Sequence, residues 1–155
     1  MDGCSVVKYV LYKLARVLVL TVPLGVTYWI AGGVASLCYC FWRRPREVLK
    51  GNLRNVFVSW PEEKISECAR ANFVQFGKFL ADFFYLSKLD SSSIRKFIEV
   101  ENESYIGRVK VHKRGVIALG AHLGNWELGG VTLALLGHKI GAVALSHKQS
   151  GVDAM

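Results

Sequence analysis

Apolar and polar positions alternate in distinct regimes along this chain. From Val17 to Trp42 no residue is charged. A run of that length can cross the roughly 30 Å hydrocarbon core of a bilayer. Pro23, Gly25, Gly32 and Gly33 interrupt it, which membrane helices tolerate, and Tyr39, Phe41 and Trp42 suit an interfacial aromatic belt. After it, Arg46 to Val58 reads as a helix with Leu49, Leu53, Val56 and Phe57 on its apolar side. Ser59-Trp60-Pro61-Glu62 then has capping-box spacing, and Pro61 suits a helix start. A long helix follows from Glu62 to Leu86, with Ile65, Ala69, Phe73, Phe76, Phe79, Leu80 and Phe83 at helical spacing. That stripe predicts a core-facing side; its aromatic content also suits contact with lipid or an acyl chain. Ser91 to Phe97 and Asn102 to Lys110 read as short helices.

The period then changes. Val116 to Leu119 is a short apolar run suited to a buried strand, Asn125 to Leu136 is helical and closed by Gly137, and Ile140 to Leu145 is a second short apolar run. Strand, helix, strand at this spacing predicts a βαβ unit, so the expected class is α/β: an N-terminal membrane helix, then helices, then the βαβ unit. The expected division is residues 1–42 as anchor and 43–155 as the catalytic part. Functional residues of such units gather at the carboxyl ends of the strands. His122 and His147 fall there, one after each run.

Composition sharpens the membrane reading. The 155 residues are 52% hydrophobic, with a net charge of +8. A cleaved signal peptide competes with an uncleaved anchor, but the apolar run is longer than a usual signal core and lacks a clean small-x-small site. A hairpin or monotopic insertion bent at Pro23 is the other alternative. Lys8, Lys13 and Arg16 precede the run; Arg43, Arg44, Arg46 and Lys50 follow it, a slightly denser cluster that favours a cytoplasmic downstream part. The dispersed basic residues carry no nucleic-acid motif, so nucleic acid is not an expected partner. Anionic headgroups suit the charge better, and an acidic carrier protein would also be attracted. The spacing of Cys4, Cys38, Cys40 and Cys68 resembles neither a zinc site nor a disulfide framework, and no metal is expected.

The candidate chemistry lies in Gly115-Val-Ile-Ala-Leu-Gly-Ala-His-Leu-Gly-Asn-Trp-Glu-Leu-Gly-Gly130. On one regular helix His122 and Glu127 would point about 140° apart. They can meet if His122 lies in a strand-to-helix turn and Glu127 in the first turn of the helix, a turn that Gly120 and Gly124 permit. The carboxylate then fixes the imidazole tautomer and leaves the other nitrogen free as a base. No serine or cysteine accompanies the pair, which suits direct attack by a substrate hydroxyl on an activated carbonyl, with backbone N–H groups at the helix start facing the oxyanion. A histidine merely satisfied near a helix start is the competing reading.

The stretch Gly120-Ala121-His122-Leu123-Gly124-Asn125-Trp126-Glu127 resembles the motif of the lipid A biosynthesis acyltransferase family, within the wider glycerolipid acyltransferases that share H-x4-D/E. The six-residue run His122 to Glu127 is far more specific than the bare spacing. Gly51-Asn52-Leu53-Arg54-Asn55-Val56-Phe57 with Trp60-Pro61 resembles a second family segment, Phe57 standing one place early. The resemblance implies acyl transfer from an acyl carrier protein or coenzyme A thioester to a hydroxyl of a lipid acceptor at the bacterial cytoplasmic (inner) membrane, with no cofactor beyond that co-substrate. His122 would be the base, Glu127 its partner, and Gly124, Asn125 and Trp126 would line the substrate pocket. Where the family carries a Tyr-Arg-Pro-like stretch, this chain has Ser146-His147-Lys148, which would face an anionic headgroup and leaves the acceptor open. The family's members run to about twice this length, so a truncated, inactive chain, or a membrane protein that only binds lipid or a partner, is the alternative expectation.

Overall fold

Pro23 divides the uncharged run. Its ring blocks the preceding residue from helical geometry, so α1 (Gly3–Thr21) stops before it and α2 (Leu24–Phe41) starts after it. Pro23 sits at φ −55°, ψ 139°, and its carbonyl accepts the N–H groups of Val26 and Thr27 at 3.0 and 3.1 Å. The apolar stretch is therefore two helices, of which α2 is long and apolar enough to cross a membrane. The computed structural model describes residues 3–111, 116–121 and 123–142. They fall into two compact units, Met1–Leu89 with Ile117–Leu128, and Asp90–Val116 with Gly129–Met155.

In the first unit the framework is the antiparallel pair of α2 and α4 (Glu62–Tyr85). Tyr39 at one end of α2 donates its hydroxyl to the Ser66 carbonyl at 3.0 Å and meets Phe73 edge-on, with centroids 5.4 Å apart. Tyr28 at the other end donates its hydroxyl to Asp82. Between them the helices touch through small residues. A Cβ added at Gly77 would stand 2.9 Å from both the Ala31 carbonyl oxygen and the Ala35 Cβ. Thr27 and Ala35 on α2, and Ile65, Ala69 and Ala81 on α4, are buried. Small residues at i, i+4 spacing let the backbones approach closely and gain dispersion contact. The expected stripe on α4 therefore divides: Ile65, Ala69 and Phe73 turn inward, while Phe76, Leu80 and Phe83 stay exposed, because the close seam runs through Gly77 and Ala81 instead. α1 joins the pair through Tyr12 against Phe84, centroids 4.8 Å apart.

The link between α2 and α4 is α3 (Arg43–Val56), which begins three residues before the expected start. Arg46 reaches back so that its Nη1 donates to the carbonyls of Tyr39 and Cys40 at 3.1 and 3.2 Å. These are carbonyls of the last turn of α2, and a cation there complements the helix dipole. The expected capping box does not form: Pro61 is the N-cap of α4, without a side-chain cap. Glu62 instead accepts from Arg54 Nε and Nη2 at 2.9 and 2.8 Å and pairs with Lys50 Nζ, because two cations on the preceding helix outcompete one backbone N–H. Phe57 stacks on Trp60, with centroids 3.9 Å apart, and Lys64 lies over the Trp60 ring.

The second unit opens with Asp90, whose Oδ1 accepts from the backbone and hydroxyls of Ser92 and Ser93, holding its carboxyl down at about 2. The short α5 (Ile94–Phe97) buries Ile94 completely. Asn102, at φ 56°, turns the chain into α6 (Ser104–Val111). Arg95 binds Glu103 through both terminal nitrogens at 3.1 and 3.0 Å, an exposed pair that holds the Glu103 carboxyl below its usual range. α7 (Trp126–Leu135) ends as expected at Gly137, φ 84°, where Gly137 N–H donates to Ala134 O and His138 N–H to Leu133 O, the Schellman pattern.

No strand is present among the described residues. Val116 to Leu119 carries no ladder pairing and leaves Val116, Ile117 and Leu119 at 60%, 89% and 95% exposure, so the expectation of a buried strand is not met there. A strand exists only with a neighbour, and none of the described residues supplies one. Of the second expected strand, Ile140 to Gly141-Ala142 is irregular and the remainder lies outside the described residues.

Two outcomes test this frame. Gly77→Val should lower stability by about 1–3 kcal/mol through overpacking, whereas Gly32→Ala, whose Cβ would meet only Val74 Cγ1 at 3.5 Å, should be near neutral; thermal unfolding in detergent distinguishes them. Arg54, then Lys50, hold the Glu62 carboxyl at about 2, below its ordinary 4.5. A depressed folded-state value means the contribution is full above the unfolded value and fades as pH falls from about 4.5 to about 2. Glu62→Gln should therefore melt below wild type at pH 6, with the gap closing towards pH 2.

Candidate active site

The glycine-flanked motif leads into the first turn of α7. Gly124 adopts φ 62°, a left-handed conformation that most side chains resist, and a Cβ there would meet nothing within 4 Å. Its glycine is thus required by the backbone turn rather than by crowding. Of the two glycines expected to permit the turn, Gly124 carries the unusual angle; Gly120 does not. Asn125 follows as the N-cap: its Oδ1 accepts the N–H of Leu128 at 3.0 Å. Trp126 and Glu127 are then the first two residues of α7, and the Glu127 side chain is half-buried.

Helix α4 holds this start at two adjacent points. Asn125 Nδ2 donates to Asp82 Oδ2 at 3.2 Å. The Trp126 ring stacks on Phe79, one turn earlier on α4, with centroids 4.9 Å apart and planes 24° from parallel. Asp82 is itself held from the other side, because its Oδ1 accepts the Tyr28 hydroxyl. An amide has one donor end and one acceptor end, so the Asp82 oxygen and the Leu128 N–H together fix which way Asn125 points. The Leu128 N–H is thereby engaged within the cap.

The structure thus brings Gly124, Asn125, Trp126 and Glu127 into one turn, with Glu127 in the first helical turn as the spacing requires. His122, Ser146, His147 and Lys148 lie outside the described residues. Among the described residues no three His, Cys, Asp or Glu side chains converge as a metal site would need. The partners that sequence reasoning missed are Phe79, Asp82 and Tyr28. Asp82 did leave a signal: it stands alone among Phe79, Leu80, Ala81, Phe83 and Phe84, and an acid set in an apolar run needs a partner. Which partner it takes depends on contacts 43 and 54 residues away, beyond the reach of local pattern.

The family model for bacterial lipid A biosynthesis acyltransferase matches residues 4–155, and the chain belongs to that family. It is similar to a lipid A biosynthesis palmitoleoyltransferase of Escherichia coli (strain K12), 25% identical over 113 residues, which are 73% of this chain and 37% of the relative. It is also similar to a lipid A biosynthesis lauroyltransferase of the same organism, 27% identical over 112 residues, 72% of this chain and 37% of the relative. A lipid A biosynthesis acyltransferase of Shigella flexneri matches at 25% over 113 residues, again 73% of this chain and 37% of the relative. The matched stretch thus spans well under half the length of these curated relatives. No solved structure matches the chain significantly.

Asn125→Ala removes the cap of α7 and should cost about 1 kcal/mol, with a further loss from the unpaired Asp82 oxygen. Chemical denaturation of the variant against wild type measures it; Asn125→Ser, which can still cap, should lose less.

Proposed function

We propose that this chain carries the membrane anchor and the active-site motif of an O-acyltransferase acting in lipid A assembly or on a related glycolipid or lysophospholipid. The observation that carries the reading is the family motif, ordered from Gly124 to Glu127 as a capped helix start in a chain that the family model matches from residue 4 to 155. In this reading His122 takes the proton of the acceptor hydroxyl as that oxygen attacks the thioester carbonyl. Glu127 fixes the imidazole tautomer and stabilises the imidazolium. The tetrahedral intermediate collapses, the C–S bond breaks, and the thiol leaves with the proton returned by His122. The donor is an acyl carrier protein or coenzyme A thioester. Gly124, Asn125 and Trp126 shape the pocket, and Ser146, His147 and Lys148 face the acceptor's anionic group.

Residues 1–42 are the proposed anchor and 43–155 part of the catalytic domain, facing the bacterial cytoplasm. What supports anchoring is the apolar surface of α2: Trp29, Val34, Leu37 and Phe41 are all exposed, which water disfavours and lipid accommodates. α3 supplies Arg43, Arg44 and Lys50 close to its end, where anionic headgroups would lie. We also propose that Val116 to Leu119 and Ile140 to Leu145 become the parallel strands of a βαβ unit; the exposed Ile117 and Leu119 are what a strand without its neighbours presents.

Lipids from cells expressing the complete reading frame, compared with His122→Ala by mass spectrometry, test the reading. Wild type should add one fatty acyl mass to a lipid, and His122→Ala should lose that product by about 100-fold or more. Identical profiles from two well-expressed proteins would overturn catalysis and leave a lipid-binding membrane protein.

A further inference from the structure

We propose that Asp82, steadied by Tyr28, is a positioning residue for the acyl-transfer motif, setting through Asn125 the orientation of the α7 start that bears Glu127. This rests on the acyltransferase reading above. Three hydrogen bonds run in series from α2 to α7: Tyr28 hydroxyl to Asp82 Oδ1, Asn125 Nδ2 to Asp82 Oδ2 at 3.2 Å, and Leu128 N–H to Asn125 Oδ1 at 3.0 Å. Each link constrains the next. The carboxylate has two acceptor oxygens and spends one on each neighbour, so its plane is set by both. The Asn125 amide, pulled by its NH2 group toward Asp82, presents its oxygen to the helix. Without Asp82 that amide is free to rotate or turn over, and the cap weakens.

Glu127 is two residues beyond the cap. A rotation or shift of the first helical turn displaces its carboxylate from the imidazole it must orient, and errors of about 1 Å in such arrangements cost roughly 100-fold in rate. The Phe79–Trp126 stack, three residues from Asp82 on the same face of α4, restrains tilt but has no polarity to fix rotation about the helix axis. The hydrogen-bond series supplies that polarity. The effect proposed for Asp82 passes through Asn125, which it holds at 3.2 Å.

The test exchanges the two side chains. Asp82→Ala should lower kcat by about 10- to 100-fold with KM within about twofold, and Tyr28→Phe should lower kcat by less. Asn125→Asp alone sets two carboxylates against each other and should be as damaging as Asp82→Ala. The pair Asp82→Asn with Asn125→Asp restores all three bonds with the roles reversed. The amide moved onto α4 donates its NH2 group to the carboxylate moved onto the α7 start, and its oxygen accepts the Tyr28 hydroxyl. The carboxylate can still cap the Leu128 N–H, as an aspartate does at other helix starts. Because Asn125 also lines the proposed pocket, the readout is recovery: that double variant should exceed Asn125→Asp alone by about tenfold in kcat. Amide hydrogen exchange of the 124–130 segment in detergent gives a readout without turnover: Asp82→Ala should exchange there several-fold faster, with α2 unchanged. A double variant no better than Asn125→Asp, or wild-type exchange in Asp82→Ala, would overturn the proposal. If His122→Ala keeps full activity the acyl-transfer reading falls, and the exchange data still decide whether Asp82 positions the turn.

Discussion

The close approach of α2 and α4 at Gly77 is the constraint on which the rest depends. With a backbone carbonyl and a methyl group where its own Cβ would be, Gly77 lets the axes draw together until Tyr39 reaches the Ser66 carbonyl and Tyr28 reaches Asp82. Those two tyrosines lie eleven residues apart on α2, and neither bond survives a wider separation. The α4 face that receives Asn125 and Trp126 is thus placed by a glycine far from the motif in sequence. Small residues do here what large ones do in a water-soluble core: they hold helices by contact over a long seam instead of by bulk.

The helices and their caps were legible in the sequence wherever a local cause sufficed. Gly137 ends α7, Pro61 starts α4, and the Glu62 to Leu86 period places α4 to within one residue. The turn at Gly124 was legible too, because a glycine there admits the left-handed angle that the backbone takes before the Asn125 cap. Pro23 was legible as one alternative, a bend in the uncharged run, and it does divide that run, since the restriction it imposes on Val22 acts however apolar the neighbours are. Two things were not. Ser59 has the spacing of a cap, but charge pairing across the α3–α4 corner outweighs it. Asp82 escapes the pattern because hydrophobic periodicity describes the apolar positions of a helix and is silent on what an isolated polar one reaches across space. The strand expectation for Val116 to Leu119 rests on composition alone, and composition cannot provide a pairing partner.

Charge is distributed to reinforce this frame. Arg46 closes the carboxyl end of α2, and Glu62 ties α4 to Arg54 and Lys50 one helix earlier. The first lies where the chain leaves its most apolar helix, the second where α3 turns into α4. The Arg54–Glu62 pair is exposed, so its individual worth is small and salt-sensitive. The effect of these contacts is to fix the direction in which α4 departs, which is what the seam then extends.

The antiparallel pairing of α2 with α4 has a further consequence for a lipid acceptor. Lys64, Glu67, Arg70 and Lys78 travel along α4 beside the apolar helix. If α2 is the anchor proposed above, immersing it on all sides would drag those charges into hydrocarbon, so the α4 flank of the pair would stay among headgroups or in water. In that proposed arrangement the motif, tied to Tyr28 through Asp82, would ride at headgroup level. Lifting an acyl chain into water costs about 0.8 kcal/mol for each methylene, roughly 10 kcal/mol for a chain of a dozen carbons. Under the proposed acyltransferase reading, a site at that depth would meet a lipid acceptor by lateral diffusion, without the work of extraction.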